Sequence, residues 1–161
     1  MMENKECIFC KIANKEIKSF TIYEDLNFIS FLSIYPNTPG VAVVIPRKHY
    51  GSDIFSLENN VINDLMSSVK NVAKILENSF EDVGRVGLVF EGLGINHLHA
   101  KLYPFHGTRE IKKNWKEIKS SENKFFTKYE GYISSHDCES MSANELEEIY
   151  KKIMDKKNVL S

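Results

Sequence analysis

Hydrophobic residues in the first part of the chain follow the pattern of short strands. Phe20–Glu24 and Asn27–Leu32 are rich in β-branched and aromatic residues and are separated by a short polar break, which predicts a hairpin. Turn-forming residues at 36–40 lead into an apolar run over Val41–Ile45, and a proline ends that run. We therefore expect three strands before the first long helix.

The middle of the chain has the periodicity of a helix followed by two more strands. Apolar residues recur every three or four positions and share one helical face: Leu57, Val61, Leu65, Val69, Val72, Ala73, Leu76 and Phe80. We expect this face to belong to the core and not to a cofactor site. Gly84–Phe90 and His97–Tyr103 then predict two strands. Five strands with a helix between the third and fourth favour an antiparallel sheet that carries a helix, an α+β domain.

The last third of the chain predicts an extension that ends in a helix. Ser142–Glu145 is a capping box, and the helix after it has one apolar side, formed by Leu146, Ile149, Tyr150 and Ile153. We therefore divide the chain into a main domain over 1–105 and an extension over 106–161 that packs on it. Lysines cluster in the extension before this helix, at 112, 113, 116 and 119. They form either a solvated face or a lid over an anionic ligand.

Composition limits the classes of protein to which this chain can belong. Its 161 residues, 42% hydrophobic and 27% charged, fit one compact domain. The net charge of −1 gives no overall attraction to nucleic acid or to an anionic membrane, so an anion must be bound by a local cluster. No segment has the length of a membrane span, and the amino terminus lacks the apolar core of a secretory signal. We therefore expect a cytoplasmic protein.

Three cysteines do not make a disulfide framework, and two of them stand close together as Cys7 and Cys10. In a reducing compartment a Cys-x-x-Cys pair indicates a metal site or a redox pair. Its spacing is that of a metal-binding knuckle, and two imidazoles from other elements would complete a tetrahedral set. The chain offers His49 and His97 for this purpose. The alternative is a pair of reduced thiols with both histidines hydrogen-bonded to each other or to the backbone.

The strand predicted at 97–103 carries chemically active residues at alternate positions. Side chains of a strand point alternately to opposite faces, so His97, His99, Lys101 and Tyr103 share one face. Same-face neighbours lie about 6.5–7 Å apart, which is close to the spacing of consecutive phosphates. This face therefore predicts a surface that handles phosphate groups.

The same stretch resembles the histidine triad (HIT) family of nucleotide hydrolases and transferases, whose signature is His-x-His-x-His. Here the motif is His-x-His-x-Lys, and the resemblance extends over residues 7 to 104. It implies the HIT fold. It also implies that His99 attacks the α-phosphorus of a nucleotide to give a covalent nucleotidyl-histidine. Lys101 stands in the third position, where the signature has histidine. The uridylyltransferase relatives also lack histidine there: they have glutamine and keep the nucleophile.

The resemblance also implies a metal. In the uridylyltransferase branch and in many bacterial relatives, two cysteines and two histidines at the positions of Cys7, Cys10, His49 and His97 bind zinc. Four protein ligands leave no open coordination position, so this zinc would be structural and would not activate water. We expect Cys138 to be an ordinary thiol.

For His99 to act as a nucleophile, one ring nitrogen must be unprotonated and the other fixed as a donor, usually to a backbone carbonyl. We expect Lys101 to balance the charge on the phosphate oxygens, and the backbone at Gly92 and Gly94 to approach them. Two positions differ from the family. Ser33 stands where many members have a ribose-binding aspartate, and Val41 where many have a histidine.

Asn37 and Asn96 are the polar residues that we expect to compensate for these losses. His106 is either a residue that reaches the phosphates or a partner subunit, or an ordinary loop residue. His136 we expect to be structural.

These observations predict a nucleotidyl hydrolase or transferase that acts on a small nucleotide, such as a dinucleoside polyphosphate or a nucleoside phosphoramidate. The alternative is a zinc-stabilised nucleotide-binding protein without significant turnover. A redox role for the cysteine pair is a third hypothesis, but its surroundings do not resemble the strand-to-helix setting of a thioredoxin site. Many HIT proteins dimerise, which leaves a homodimer open.

Overall fold

The computed structural model of the chain describes residues 6–118, 128 and 140–159. Lys119, His136 and Cys138, for which the sequence analysis made predictions, lie outside the described residues. The elements in chain order are α1 (Ile8–Ala13), β1 (Thr21–Glu24), β2 (Phe28–Leu32), β3 (Ala42–Pro46), α2 (Asn59–Ser79), β4 (Val86–Val89), β5 (Ala100–Pro104) and α3 (Ala143–Val159). Short 3-10 helices lie at Ile54–Ser56 and Arg109–Lys112.

The five strands form one antiparallel sheet in the order β1-β2-β3-β5-β4. The α+β class and the position of α2 between the third and fourth strands are therefore confirmed. The last strand, β5, pairs with both β3 and β4, because α2 carries the chain across the sheet before β4 returns. This order makes β5 an interior strand, so its residues lie near the middle of the sheet.

One detail of the predicted last strand is wrong, because β5 begins at Ala100 and not at His97. The two residues before it are held by other bonds: the His97 N–H donates to the carbonyl of Ile95 (2.8 Å), and the Leu98 N–H donates to Tyr50 (3.0 Å). The alternation of side chains nevertheless continues through this segment. Leu98 lies in the core against α2, whereas the rings of His97 and His99 both contact Phe9 of α1.

Each face of the sheet is covered by a different helix. The apolar face of α2, predicted from its periodicity, packs against Leu98, Ala100 and Leu102 in the main core. The opposite face forms a smaller core with α1, in which Phe9 and Ile12 pack against Phe31, Val43 and neighbouring strand residues. The active residues of the last strand lie on this second side.

The predicted capping box opens α3. The Glu145 N–H donates to the Ser142 hydroxyl (3.4 Å), and the Ser142 N–H donates back to the Glu145 carboxylate (3.0 Å). Leu146 and Ile153 are buried in the main core, as predicted, so α3 packs on α2. The division of the chain at residue 105 stays a prediction. Within the described ranges no helix is both long and apolar enough to cross a bilayer.

The loop after β5 is fastened to the end of α2. The Arg109 guanidinium donates to the carbonyls of Phe80 (2.6 Å), Glu81 (2.7 Å) and Glu77 (3.1 Å), which satisfies acceptors that a helix end leaves unpaired. Thr108 makes a second link: its hydroxyl accepts from the Gly84 N–H (2.9 Å) and donates to the carbonyl of residue 105 (2.6 Å).

A substitution at Gly84 tests how tightly the loop after β5 packs against the segment between α2 and β4. A Cβ at residue 84 would overlap the carbonyl of Thr108 and lie 2.9 Å from the Arg109 Cα, and both neighbours are backbone atoms that cannot rotate away. We expect Gly84→Ala to lower the free energy of unfolding by about 1–3 kcal/mol, the usual cost of overpacking. Gly51→Ala is the control, since the nearest atom to its Cβ is 3.8 Å away. Urea titration measures both, and equal stability of the two variants would contradict the prediction.

Candidate functional site

Two cysteines and two histidines from three separate parts of the chain meet at one point. Their ligand atoms all lie within 4.8 Å of one another. The His97 Nδ1 atom is 3.4 Å from the Cys7 Sγ, 3.5 Å from the Cys10 Sγ and 3.3 Å from the His49 Nδ1. The His49 Nδ1 atom is in turn 3.3 Å from the Cys10 Sγ. The four predicted ligands are therefore brought together.

Local structure explains how the two cysteines come to point the same way. Cys7 is the residue that precedes the first turn of α1, and Cys10 lies one turn later. Residues three apart share a helix face, so both thiols are directed at the sheet. A six-residue helix thus supplies half of the ligand set.

His97 is oriented by a hydrogen bond on the far side of its ring. Its Nε2 donates to the carbonyl of Pro46, 3.0 Å away at the end of β3, which leaves Nδ1 free of a proton and directed at the cluster. Burial lowers the pKa of His97 to about 4, although the bond to Pro46 opposes the shift. The ring is therefore neutral at physiological pH, as a metal ligand must be.

Four of the six distances between the donor atoms fit a tetrahedral metal ion, and all six are within 4.8 Å. Metal–sulfur bonds of about 2.3 Å and metal–nitrogen bonds of about 2.0–2.1 Å, at tetrahedral angles, separate sulfur from nitrogen by about 3.5 Å and nitrogen from nitrogen by about 3.3 Å. The sulfur–nitrogen contacts here are 3.3–3.5 Å and the nitrogen–nitrogen contact is 3.3 Å. The set is complete with protein ligands, so it fits a structural ion.

His99 follows immediately and is almost enclosed, with 3% of its surface exposed. Its Nδ1 donates to the carbonyl of His97 (2.7 Å), so Nε2 carries the lone pair. Burial lowers the pKa of His99, the hydrogen bond to His97 opposes this, and the charge of Lys101 lowers it further. The ring meets the edge of Phe9 at 5.4 Å between centroids. This tautomer is the one that a nucleophilic imidazole requires.

Lys101 has an acidic partner that the sequence analysis missed. Its ammonium forms an ion pair with Glu91, and both side chains are largely buried. Val89 lies opposite Lys101 in the sheet, and Glu91 is two residues beyond Val89, so its side chain returns to the same face. The alternation of side chains along the two predicted strands is the sequence signal from which Glu91 could have been predicted as the partner of Lys101.

The loop between β4 and β5 contains two glycines in the left-handed region of backbone conformation. Gly92 and Gly94 have φ angles of +66° and +80°, which favour glycine. Apart from its two neighbours in the chain, none of the described residues has an atom within 4 Å of where a Cβ of Gly94 would stand. Asn96 has a structural bond in this loop: its amide oxygen accepts from the Ser52 N–H at 3.1 Å.

Asn37, which we predicted to bind ligand, and two other positions discussed in the sequence analysis, Ser33 and His106, lie further along the sheet. Asn37 lies in the turn between β2 and β3, where it lines a separate cleft near the end of β5. Ser33 follows β2, and its N–H donates to the carbonyl of Val41 (2.9 Å). His106 lies between the Asp82 carboxylate (3.1 Å) and the carbonyl of Pro39 (3.0 Å), which makes it part of the loop packing.

Arg47 is a further residue that the sequence analysis did not single out. Its guanidinium donates to the carbonyl of Ala13 at the end of α1 (3.0 Å), to the carbonyl of Asp25 (3.0 Å) and to the Glu24 carboxylate (2.9 Å). It ties the carboxyl end of α1 to the hairpin, while the cysteines tie its other end to the sheet. No local pattern in the sequence indicates these long-range bonds.

Comparison with known proteins finds similarity over the part of the chain that forms the sheet and α2. The family model for the HIT domain matches residues 14–117. An uncharacterised HIT-like protein of Methanocaldococcus jannaschii is 32% identical over 115 residues, which span 66% of this chain and 85% of the relative. An adenosine 5′-monophosphoramidase of Candida albicans is 29% identical over 116 residues, 65% of this chain and 73% of the relative.

Among solved structures, a zinc-bound histidine triad family protein from Mycobacterium smegmatis has the same fold. It superimposes with a TM-score of 0.57, covers 96% of this chain and 97% of its own, and is 16% identical in sequence.

The convergence of four ligand atoms predicts a bound metal. We expect purified protein to retain close to one divalent ion per chain, because the tetrahedral set is complete. Cys7→Ala should lose the ion and lower the free energy of unfolding by more than about 2 kcal/mol. Cys138→Ala, which removes the remaining thiol, should keep the ion. Elemental analysis after purification without chelators decides the point, and metal-free wild-type protein would contradict it.

Proposed function

Because the chain belongs to the HIT domain family, whose model matches residues 14–117, we propose that it is a nucleotide hydrolase or nucleotidyltransferase. Its substrate would be a small nucleotide, and the reaction would pass through a covalent nucleotidyl-histidine at His99. The substrate class to test first is the nucleoside phosphoramidates, since two relatives, from Candida albicans and Saccharomyces cerevisiae, are named adenosine 5′-monophosphoramidases. Dinucleoside polyphosphates are the second class.

The observation that carries this proposal is the hydrogen bond of the His99 ring. Its Nδ1–H donates to the carbonyl of His97 at 2.7 Å, and this bond fixes both the ring plane and the tautomer. The lone pair on Nε2 is then directed away from the backbone. A histidine held in this way needs no general base to become nucleophilic.

The chemistry at His99 proceeds in two displacements. In the first, the Nε2 lone pair forms a bond to the α-phosphorus while the bond to the leaving group breaks; the leaving nitrogen or oxygen keeps the electron pair and takes a proton from water. In the second, water attacks phosphorus and gives a proton to the hydroxide left by the first step, while the phosphorus–Nε2 bond breaks and its electron pair returns to the ring. The products are a nucleoside monophosphate and the protonated leaving group.

Lys101 and the glycine-bearing loop would stabilise the charge that develops on phosphorus. Lys101 is the residue two positions beyond His99 on the same face, and its charge already affects the His99 ring. Its ion pair with Glu91 limits the positions that the ammonium can adopt. A cation that is fixed before the substrate arrives loses less entropy when it binds a phosphate oxygen. The open backbone at Gly94 gives the phosphate room to approach from the other side.

We infer that the bound metal is zinc and that its role is structural. Cysteine thiolates with imidazoles in a closed tetrahedral set are the ligands typical of structural zinc. Cys7, Cys10, His49 and His97 would hold it. A zinc-bound protein of the same fold supports this choice of metal. The ion would act on the reaction only by fixing His97, whose carbonyl orients the His99 ring.

A second candidate function is nucleotide binding without significant turnover, and specific observations favour it too. His99 has only 3% of its surface exposed, and Phe9 lies against its ring. A substrate would have to reach the imidazole past this side chain. Lys101 also has an internal partner in Glu91, which reduces the positive charge that the site offers to a phosphate. Turnover separates the two functions, whereas nucleotide binding is common to both.

Removal of the nucleophile is the first test. We expect His99→Ala to abolish hydrolysis of adenosine 5′-phosphoramidate while still binding adenosine 5′-monophosphate in a calorimeter, because the loop amides and Lys101 remain. Wild-type protein quenched during turnover should carry a nucleotidyl label that maps to His99 by mass spectrometry. Hydrolysis by His99→Ala at the wild-type rate would rule out the mechanism. Absence of turnover by wild type on a broad panel of nucleotides would favour the binding function.

The role of Lys101 gives an independent prediction. Lys101→Gln should weaken the affinity for adenosine 5′-monophosphate by about tenfold, since the loss of a charge-assisted hydrogen bond costs about 1.5–3 kcal/mol. Lys113→Gln is the matched control, because Lys113 is exposed and lies outside the segment of His97, His99 and Lys101, which we call the histidine row. Calorimetry measures both affinities. Equal affinities for Lys101→Gln and wild type would mean that Lys101 serves only its ion pair with Glu91.

A further inference from the structure

A second concave site lies on the same side of the sheet as His99, at the carboxyl end of β5. It is a cleft of about 880 Å³, and three aromatic side chains and two basic ones line it: Arg85, Tyr103, Phe105, Trp115 and Lys116. We call it the aromatic cleft. None of these residues takes part in the metal cluster or in the chemistry proposed for His99.

Strand pairing explains how the floor of the cleft forms. Gly87 lies opposite Tyr103, and the Phe105 N–H continues the ladder by donating to the carbonyl of Arg85 (2.9 Å). By alternation, the side chains of Arg85, Tyr103 and Phe105 therefore share one face. A Cβ at residue 87 would overlap the Phe105 ring, so the glycine lets this ring lie directly on β4.

The wall of the cleft is held by contacts on both sides of Phe105. The Thr108 hydroxyl bonds to the Gly84 N–H and to the carbonyl of Phe105, which fixes the turn after β5. Beyond it, the 3-10 helix Arg109–Lys112 is anchored to the end of α2 through Arg109 and through the ion pair of Lys112 with Glu77. These anchors bring the next segment of chain back across the cleft.

The aromatic side chains at this cleft are exposed. Trp115 has 78% of its surface exposed and Phe105 has 46%, although the backbone that carries Phe105 is firmly bonded. Ile118, at the edge of the cleft, is exposed as well. Clustered exposed apolar side chains are unfavourable in water and mark binding surfaces. Flat rings of this kind bind other flat rings by stacking.

The cleft carries positively charged side chains that can bind an anion. Among the described residues, the Arg85 guanidinium makes one hydrogen bond, from Nη1 to the carbonyl of Gly84 (2.8 Å), and its other donors have no partner. Lys116 adds a second cation, while Glu117 at the rim is the acidic side chain of the lining. An arginine beside aromatic rings binds an anionic group with two hydrogen bonds and also stacks on a ring.

We propose that the aromatic cleft is a second ligand site, which binds a small molecule that combines a planar aromatic ring with an anionic group. The ring would stack between Trp115 and Phe105, and the anion would bind Arg85. Tyr103 lies four residues beyond His99 on an extended strand, so the cleft begins about 13 Å from the candidate nucleophile. The site is therefore separate from the one at which chemistry is proposed.

The single tryptophan of the chain provides a direct readout, since Trp115 gives the one indole N–H signal in a ¹H–¹⁵N spectrum. Three probes of similar size separate the two recognition elements: benzoate is planar and anionic, benzamide is planar and neutral, and cyclohexanecarboxylate is anionic and not planar. We expect benzoate to shift the Trp115 signal saturably, and the other two probes to bind about tenfold more weakly.

Three variants locate the site. Arg85→Gln should weaken benzoate binding by about tenfold and leave benzamide unchanged, because only the anion contact is removed. Lys113→Gln, which removes an exposed positive charge just after the 3-10 helix Arg109–Lys112 and outside the cleft lining, should bind benzoate as wild type does. His99→Ala should also keep the benzoate response, since the aromatic cleft is separate from the histidine row. The backbone signals of each variant report whether its fold is intact.

Three results would overturn the proposal. The first is a Trp115 signal that does not move at benzoate concentrations up to about 20 mM. The second is equal weakening by Arg85→Gln and Lys113→Gln, which would indicate a general charge effect. The third is a signal that moves with protein concentration alone, which would mean that a second copy of the chain fills the cleft.

Discussion

The convergence of four side chains on one point is the interaction on which the rest of this structure depends. Cys7 and Cys10 come from α1, His49 follows β3, and His97 precedes β5. Their meeting fixes α1 against the sheet and sets the direction of the His97 ring. The carbonyl of the same residue holds the His99 ring, and Phe9 of α1 lies against both imidazoles. The candidate nucleophile thus takes its position from the cluster.

Much of the fold could be predicted from the sequence because its elements depend on local patterns. The apolar face of α2, the capping box at Ser142 and the five strand segments each have a periodicity or a spacing that a reader can count. The start of β5 could not be predicted in this way. His97 and Leu98 donate to Ile95 and Tyr50, and these bonds depend on where a distant loop lies. Arg47 and Arg109 were missed for the same reason, since an arginine that caps a distant carbonyl has no local signature.

In the candidate site, too, some residues could be predicted from the sequence and others could not. Metal ligands are constrained by coordination geometry, so four residue types at suitable spacings were enough to predict their meeting. Residues expected to contact phosphate have no such constraint. Asn96 bonds to Ser52, and Asn37 lies at the aromatic cleft, so loop position and not residue type decided where they lie. Glu91 belongs to the site through an ion pair across two strands, which became evident only when the register of β4 and β5 was known.

The separation of the metal ligands along the chain has a consequence for how the protein is made. Cys7 and His97 are 90 residues apart, so the amino-terminal cysteines leave the ribosome long before their last partner exists. Until then α1 is a single short helix with an incomplete ligand set, and isolated helices of six residues are not stable in water. Closing so long a loop costs chain entropy, and an ion bound by these four residues would offset that cost only when all four ligands are present. On the function proposed above, the His97–Lys101 segment would therefore become ordered together with metal capture, only after His97 has been made, and a newly made chain without metal would lack an ordered candidate nucleophile.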